Sequence, residues 1–169
     1  KRRQISDAHI EQLTGEYECV KSFITHKNSV LWAIYYHDAI YDVSSSTNEE
    51  DSAALFEVQI SHLIDEDEAE LARQLILATK THECPAFESQ TQSSDCEYFL
   101  DLDMSILGAE ADDYDRYAAD VRREYAIYED AVYNLGRTRI LEGFLAKQRL
   151  FHTEYYFSKY EARARANIE

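Results

Sequence analysis

An adjacent histidine and aspartate, His37 and Asp38, stand in the most apolar stretch of the sequence. At helical spacing His37 shares a stripe with Val30, Ala33, Ile34, Ile40 and Tyr41. We therefore expect its imidazole to point into the core. Burying an imidazole beside a carboxylate costs several kcal/mol unless the two groups are paired or bind a metal. Two explanations stay open: a hydrogen-bonded core histidine, or a metal ligand.

A second carboxylate, that of Asp103, interrupts an otherwise apolar helical stripe made of Cys96, Phe99, Leu100, Ile106 and Leu107. An aspartate in such a stripe needs a positive partner, either a divalent metal or an arginine. Asp101 falls on another face, where simple solvation accounts for its charge. The inward-facing residues His37, Asp38 and Asp103 are therefore the candidate metal ligands.

Helices must position these residues, because helical periodicity recurs from one end of the chain to the other. The predicted helices cover residues 7–26, 30–41, 47–64, 67–82, 96–107, 112–133, 138–150 and 154–167. Residues 83–94 form the longest predicted loop, and Gly136 is predicted to break the chain between two helices. We expect an all-α fold of seven or eight helices, forming a single domain over residues 1–169 whose first turn is incomplete.

Composition excludes several classes of protein. Four glycines and one proline in 169 residues are too few for a collagen-like, linker or multi-stranded β protein. A net charge of −16 repels phosphate backbones, so we expect no direct binding to nucleic acid. The sequence contains no apolar run of about 18 residues, which is the length that would predict a membrane span. Cys19, Cys84 and Cys96 contain no CxxC pair and predict three reduced thiols in a cytoplasmic protein.

The order His37-Asp38, His82, Asp103 resembles that of the HD-domain superfamily of metal-dependent phosphohydrolases. Several segments are similar to one bacterial and fungal branch of predicted HD phosphohydrolases. These segments are residues 32–42, 48–53, 78–82, 99–108, 121–125, 136–137 and 161–167. The resemblance implies an all-α HD fold with one divalent metal ion, which would be Mn, Fe, Ni, Zn or Mg, in a central cleft.

The first helix departs from the pattern of that family. The superfamily supplies one more histidine there, and this branch reads Tyr-His with a second histidine four residues later. Here Gln4-Ile5 stands in place of Tyr-His, and only His9 matches the second position. An isoleucine cannot bind a metal. Either His9 takes over as ligand, one helical turn or about 5.4 Å away, or the site is incomplete, or the start of the chain misaligns.

The resemblance also implies residues for substrate binding and proton transfer. His82, Lys80, Arg122 and Arg137 lie in or at the edge of the similar segments and are the candidates for binding the phosphate of the substrate. Structural salt bridges are the alternative for the three cations, and a helix-end position is the alternative for His82. Asp42 or Glu49 would move a proton during catalysis, although Glu49 is equally explained as a favourable charge in the first turn of a helix.

We therefore expect a phosphohydrolase that acts on a small phosphorylated molecule such as a nucleotide. In such an enzyme a divalent ion on His37, Asp38 and Asp103 lowers the pKa of a bound water and polarises a phosphoryl oxygen. The alternative is a non-catalytic HD-fold protein that binds or regulates through an incomplete metal site. A homo-oligomer is compatible with either reading.

Overall fold

The computed structural model describes residues 7–169, and Gln4 and Ile5 lie outside this range. Within it the chain forms eight α-helices, two short 3-10 helices and no β-strand, which confirms the predicted all-α fold. The α-helices are α1 (Asp7–Val20), α2 (Lys27–Tyr36), α3 (Asn48–Gln59), α4 (Glu66–Ala78), α5 (Gln90–Met104), α6 (Ala111–Glu124), α7 (Asp130–Ala146) and α8 (Glu154–Ile168). No helix in the described range is long and apolar enough to cross a membrane.

The chain divides into two compact units, and the division falls inside a continuous helix. The first unit ends at Leu102 and the second is Asp103–Glu169. Both residues belong to α5, so Asp103 stands on the last turn of a helix whose preceding turns belong to the first unit. The single HD-type domain over residues 1–169 stays a prediction.

In the first unit the apolar helix α2 packs against α1, α3 and α4. Helix α4 begins where the carboxylate of Asp65, its N-cap, accepts a hydrogen bond of 3.0 Å from the backbone N–H of Asp67, and it therefore starts one residue before the predicted helix. The core of this unit includes Leu13, Val20, Val30, Ala33, Ile34, Phe56, Leu71, Leu75, Ile76, Phe99 and Leu100, each of which is nearly or fully buried. Helix α2 is surrounded by this core, and its last turn is therefore the local environment of His37.

In the second unit, α8 packs against the 3-10 helix Ser105–Gly108 that directly follows α5. The amide of Asn167 donates to the carbonyl oxygens of Leu107 and Ala109, over 2.8 and 3.0 Å. Gly108 lies against Tyr160 so closely that a Cβ added there would sit 2.5 Å from the Cβ of Tyr160. Only glycine permits so close a contact between the backbone and Tyr160. This contact holds the chain segment after Asp103 against α8.

The predicted chain break at Gly136 is wrong, because Gly136 lies inside α7. The chain turns instead over residues 125–129, where the guanidinium of Arg122 binds to backbone carbonyl groups of the turn. Arg122 donates to the carbonyl oxygens of Tyr125 and Tyr128 over 3.1 and 3.2 Å, and forms an ion pair of 2.5 Å with Asp130. One glycine weakens a helix by only about 1 kcal/mol, and these bonds decide where the chain turns.

The prediction of three reduced thiols is also wrong. Helix α5 begins at Gln90, inside the loop predicted over residues 83–94, and Cys96 of this helix forms a disulfide with Cys84 of the remaining loop. Their Cα atoms lie 6.0 Å apart. Cys19 is exposed and carries a free thiol. Whether two cysteines 12 residues apart form a disulfide depends on where the helix that carries one of them starts. The helical periodicity of the sequence predicts a start that is too late.

We predict that Gly108→Ala lowers the free energy of unfolding by about 1–3 kcal/mol, because its methyl group would overlap Tyr160 and force a shift of α8. Urea denaturation followed by circular dichroism measures this change. Gly15→Ala is the matched control, since Gly15 lies in α1 with no atom within 4 Å of an added Cβ. It should stabilise the protein by up to about 1 kcal/mol. Equal unfolding midpoints for the two variants would contradict the tight contact at Gly108.

Candidate metal centre

Three of the predicted ligand residues, His9, His37 and Asp103, come together in the structure. Each offers one ligand atom, and these three atoms all lie within 4.8 Å of one another. The Nε2 atoms of the two histidines are 3.4 Å apart. The residues stand on α1, at the end of α2 and on the last turn of α5, so three helices separated in sequence supply one cluster of donors.

His37 is held in a single orientation by the end of α2. This helix is shorter than predicted and ends at Tyr36, so His37 is its C-terminal cap and not a mid-helix residue. The side chain is buried, and its Nδ1 lies 3.2 Å from the carbonyl oxygen of Ala33 and 3.1 Å from that of Ile34. Carbonyl oxygens only accept hydrogen bonds, so Nδ1 carries a proton, and Nε2 is the ring nitrogen that faces His9.

The separation of the two imidazole nitrogens suits a shared metal ion. Two nitrogens bound to one ion at 2.0–2.1 Å in tetrahedral geometry lie about 3.4 Å apart. The same distance is compatible with a hydrogen bond from a neutral His9 to the lone pair of His37. Two imidazoles with a carboxylate form a donor set that suits Mn, Fe, Ni or Zn better than Mg, which prefers oxygen ligands.

Asp38 lies beside this cluster but does not point into the core as predicted. One of its carboxylate oxygens is 4.0 Å from Nε2 of His37, and its side chain is 43 % exposed. Because α2 has already ended, Asp38 lies in the turn after the helix, and its side chain faces partly toward solvent. The opposite correction applies to Asp101, which was expected in solvent and is buried in α5.

In the second unit Tyr117 interacts electrostatically with Asp103 and lies beside the cationic side chain of Arg137. The pKa of the Tyr117 phenol is raised, chiefly by burial; Arg137 opposes this shift and the negative charge of Asp103 adds to it. The Arg137 guanidinium carbon lies 5.8 Å from the centre of the Tyr117 ring. The Nη2 atom of Arg137 is buried and has no hydrogen-bond partner in the part of the chain that the structure describes. Tyr117, which the sequence analysis did not single out, is thus electrostatically coupled to both Asp103 and Arg137.

The other two predicted phosphate-binding cations are held by carboxylates. The ammonium of Lys80 forms an ion pair with Glu50, which lowers the pKa of Glu50, and it also donates to the carbonyl oxygen of Ser46 over 2.9 Å. Arg122 is engaged by the turn between α6 and α7, as described above, and its guanidinium lies 4.7 Å from the ring centre of Tyr133. Both cations therefore have structural roles, which matches the salt-bridge alternative left open for them.

Asp42, Glu49 and His82 do not belong to the donor cluster formed by His9, His37 and Asp103. Asp42 accepts hydrogen bonds from the hydroxyl and the backbone N–H of Ser44, over 2.6 and 2.8 Å, and these bonds lower its pKa. A carboxylate stabilised in this way is a weak proton acceptor. Glu49 lies half-buried in the first turn of α3. His82 follows α4 with a φ of 51°, in the left-handed region.

The structure pairs His26 with a buried carboxylate, that of Asp95. Its Nδ1 lies 2.7 Å from Oδ2 of Asp95, and Asp95 also accepts the backbone N–H groups of Thr25 and His26 over 2.9 and 2.7 Å. These bonds satisfy the backbone N–H groups of the two residues just before α2 begins. A separation of 69 residues between the partners left no signal of this pairing in the sequence. His26 also lines an open cavity of about 650 Å³, which does not include the donor cluster.

No family model, curated protein or solved structure matches this chain.

We predict that Arg122→Gln lowers the free energy of unfolding by about 1–3 kcal/mol, because it removes charge-assisted hydrogen bonds to two carbonyl oxygens and the ion pair with Asp130. Thermal or urea unfolding measures the loss. Arg123→Gln is the control, since Arg123 is 77 % exposed and pairs with Asp120 on the surface of α6, where a salt bridge contributes little. If both variants unfolded like the wild type, Arg122 would not hold the turn.

Proposed function

We propose that this chain is a metal-dependent phosphohydrolase of the HD type that acts on a small phosphorylated molecule such as a nucleotide. The convergence of His9, His37 and Asp103, with Asp38 at its edge, is the observation that carries the proposal. Of the explanations left open for the first helix, the position of His9 favours the one in which this histidine is the ligand from α1. The resemblance of the segments around His37-Asp38 and Asp103 to HD phosphohydrolases supports the reaction class.

Each ligand has a defined part in such a site. The carbonyl oxygens of Ala33 and Ile34 keep a proton of His37 on Nδ1, so that Nε2 is the ring atom that would bind the metal. His9 supplies a second nitrogen, and Asp103 supplies negative charge that offsets the charge of a cation. Asp38, partly exposed, is the ligand closest to entering substrate. A divalent ion held by these groups supplies Lewis acidity, which makes water more acidic and neutralises charge on a phosphoryl group.

Arg137 is the best of the predicted residues for binding the phosphate. Lys80 and Arg122 already neutralise Glu50 and Asp130, whereas Arg137 forms no ion pair with any described residue and keeps one buried N–H group without an acceptor. A phosphate oxygen would complete the hydrogen bonding of that group. Tyr117, which lies beside Arg137, has its pKa raised chiefly by burial and in part by the charge of Asp103.

A second candidate is a non-catalytic protein that binds phosphorylated ligands or regulates through them. The engagement of Asp42 by Ser44 favours it, because the low pKa of Asp42 makes it a poor proton acceptor. Glu49 is then the remaining candidate for proton transfer. A cytoplasmic location stays part of the proposal, and the disulfide between Cys84 and Cys96 weakens it, because reducing compartments keep thiols reduced.

We predict that the protein, purified without chelator, binds one divalent ion per chain and that His9→Gln and Asp103→Asn each weaken this binding at least about a hundredfold. Elemental analysis and calorimetric titration with Mn, Ni and Zn measure stoichiometry and affinity. A saturating ion should also raise the unfolding temperature, since at a concentration of 100 Kd it stabilises the native state by about 2.7 kcal/mol. That thermal shift should vanish in both variants.

The controls for this experiment are His62→Gln and Asp67→Asn, which alter an exposed histidine and an exposed aspartate outside the donor cluster. Both should bind metal like the wild type. Circular dichroism of His9→Gln and Asp103→Asn separates loss of a ligand from loss of fold. A wild-type protein that binds none of Mn, Fe, Ni and Zn would contradict the metal site, and with it the proposed enzyme.

We also predict that the metal-loaded protein releases phosphate from a member of a panel of nucleoside mono-, di- and triphosphates and sugar phosphates. Arg137→Gln should lower kcat/KM about 10- to 1,000-fold, because it removes a charge-assisted contact to the phosphoryl group. Arg116→Gln, at a guanidinium that is 75 % exposed on α6, should leave kcat/KM unchanged. Thermal stabilisation by a phosphorylated compound without any turnover would instead support the binding protein.

A further inference from the structure

The half-buried side chain of Arg137, in the second unit, lies among phenol groups and not among carboxylates. Its guanidinium interacts electrostatically with the side chains of Tyr114, Tyr117 and Tyr133, and it also forms a hydrogen bond with Tyr117. The guanidinium carbon lies 5.8 Å from the centre of the Tyr117 ring, within the range of a cation–π contact. A phenol is neutral at pH 7, so these neighbours leave the positive charge of Arg137 available to an anion.

Helical spacing brings these tyrosines to one guanidinium. Tyr114 and Tyr117 are three residues apart on α6, and their ring centres lie 6.1 Å apart. Tyr133 and Arg137 are four residues apart on α7, so they share a face of that helix. The contact between Tyr117 and Arg137 therefore joins the tyrosines of α6 to the face of α7 that carries the cation.

The hydrogen bond with Tyr117 leaves part of the guanidinium for a ligand. A guanidinium carries five N–H donors in a planar fork and has no acceptor, so the phenol oxygen of Tyr117 accepts this bond. The Nη2 atom of Arg137 is buried and has no hydrogen-bond partner among the described residues. One side of the fork is therefore held by the protein, and a buried donor on the fork stays open to an anion.

We propose that Tyr117 is a positioning residue, which accepts one N–H of Arg137 and so holds the guanidinium in the orientation that offers Nη2 to a phosphate. This inference rests on the proposed function, in which Arg137 binds the phosphate of the ligand. A free arginine side chain loses much conformational freedom when it is fixed on a ligand. A guanidinium that Tyr117 already holds loses less, and the phosphate therefore binds more tightly.

Calorimetric titration with inorganic phosphate, in the presence of a chelator, tests this role without any metal. Tyr117→Phe keeps the ring and removes the accepting oxygen, and we expect it to raise the Kd for phosphate about tenfold. Arg137→Gln should raise it about a hundredfold. Tyr128→Phe is the matched control, since Tyr128 is not among the tyrosines that interact with Arg137, and it should leave this Kd unchanged. A wild type that binds no phosphate would overturn the inference.

A double variant separates positioning from a merely structural role. If Tyr117 acts through Arg137, Tyr117→Phe raises the Kd for phosphate in the wild type but has no further effect in Arg137→Gln. If the phenol only supports the fold, the two effects add, and the inference is overturned. Circular dichroism of each variant confirms that the fold is retained.

The same measurements separate this inference from the proposed function. A protein that binds metal and releases phosphate, and in which Tyr117→Phe binds inorganic phosphate as tightly as the wild type, would overturn the inference alone. A protein that binds no metal, but whose affinity for phosphate depends on Tyr117 through Arg137, would support the inference. That result would contradict the proposed enzyme and favour the non-catalytic binding protein.

Discussion

The local arrangement at the proposed metal centre depends on a buried imidazole whose proton is assigned by backbone carbonyls. Helix α2 ends one residue before His37, and Nδ1 of His37 lies within hydrogen-bond distance of the carbonyl oxygens of Ala33 and Ile34; that of Ala33 also accepts the backbone N–H of His37 over 2.9 Å. A neutral ring buried in this way has an unshared electron pair on Nε2, and that pair needs a partner because leaving it unsatisfied is costly. Nε2 of His9 lies 3.4 Å away, and the same geometry accommodates a cation between the two rings.

Helical periodicity was sufficient to predict the all-α fold and the inward-facing position of His37, whereas His9 was named from the family resemblance; periodicity did not predict the exact surroundings of these residues. An apolar stripe places His37 and Asp103 correctly because burial follows the helical period. It failed for Asp38 and Asp101 because the ends of helices decide where neighbouring side chains point. Helix ends depend on capping bonds such as that of Asp65, and on tertiary bonds, which leave a weak trace in sequence.

Specific side-chain pairings, polar and covalent, account for the remaining differences between prediction and structure. The turn held by Arg122, the disulfide between Cys84 and Cys96, and the pairing of His26 with Asp95 each depend on a partner that periodicity does not specify. Gly136 illustrates the same point in reverse. A glycine is a weak breaker whose cost the neighbouring residues override, so a strong tertiary anchor nearby, Arg122, determines where the chain bends.

Net charge and local charge have different consequences in this molecule. Most of the acidic residues lie on exposed helix faces, where ion pairs with nearby lysine and arginine side chains contribute little to stability. Those pairs nevertheless occupy cations that would otherwise be free to bind an anionic ligand, as Lys80 and Arg122 demonstrate. Arg137 forms no ion pair with a described residue in so acidic a chain and keeps a buried N–H group without an acceptor, and it is therefore the strongest electrostatic argument for a bound anion. The charge of −16 does not exclude a phosphorylated ligand; it limits the positions in this chain that can bind one.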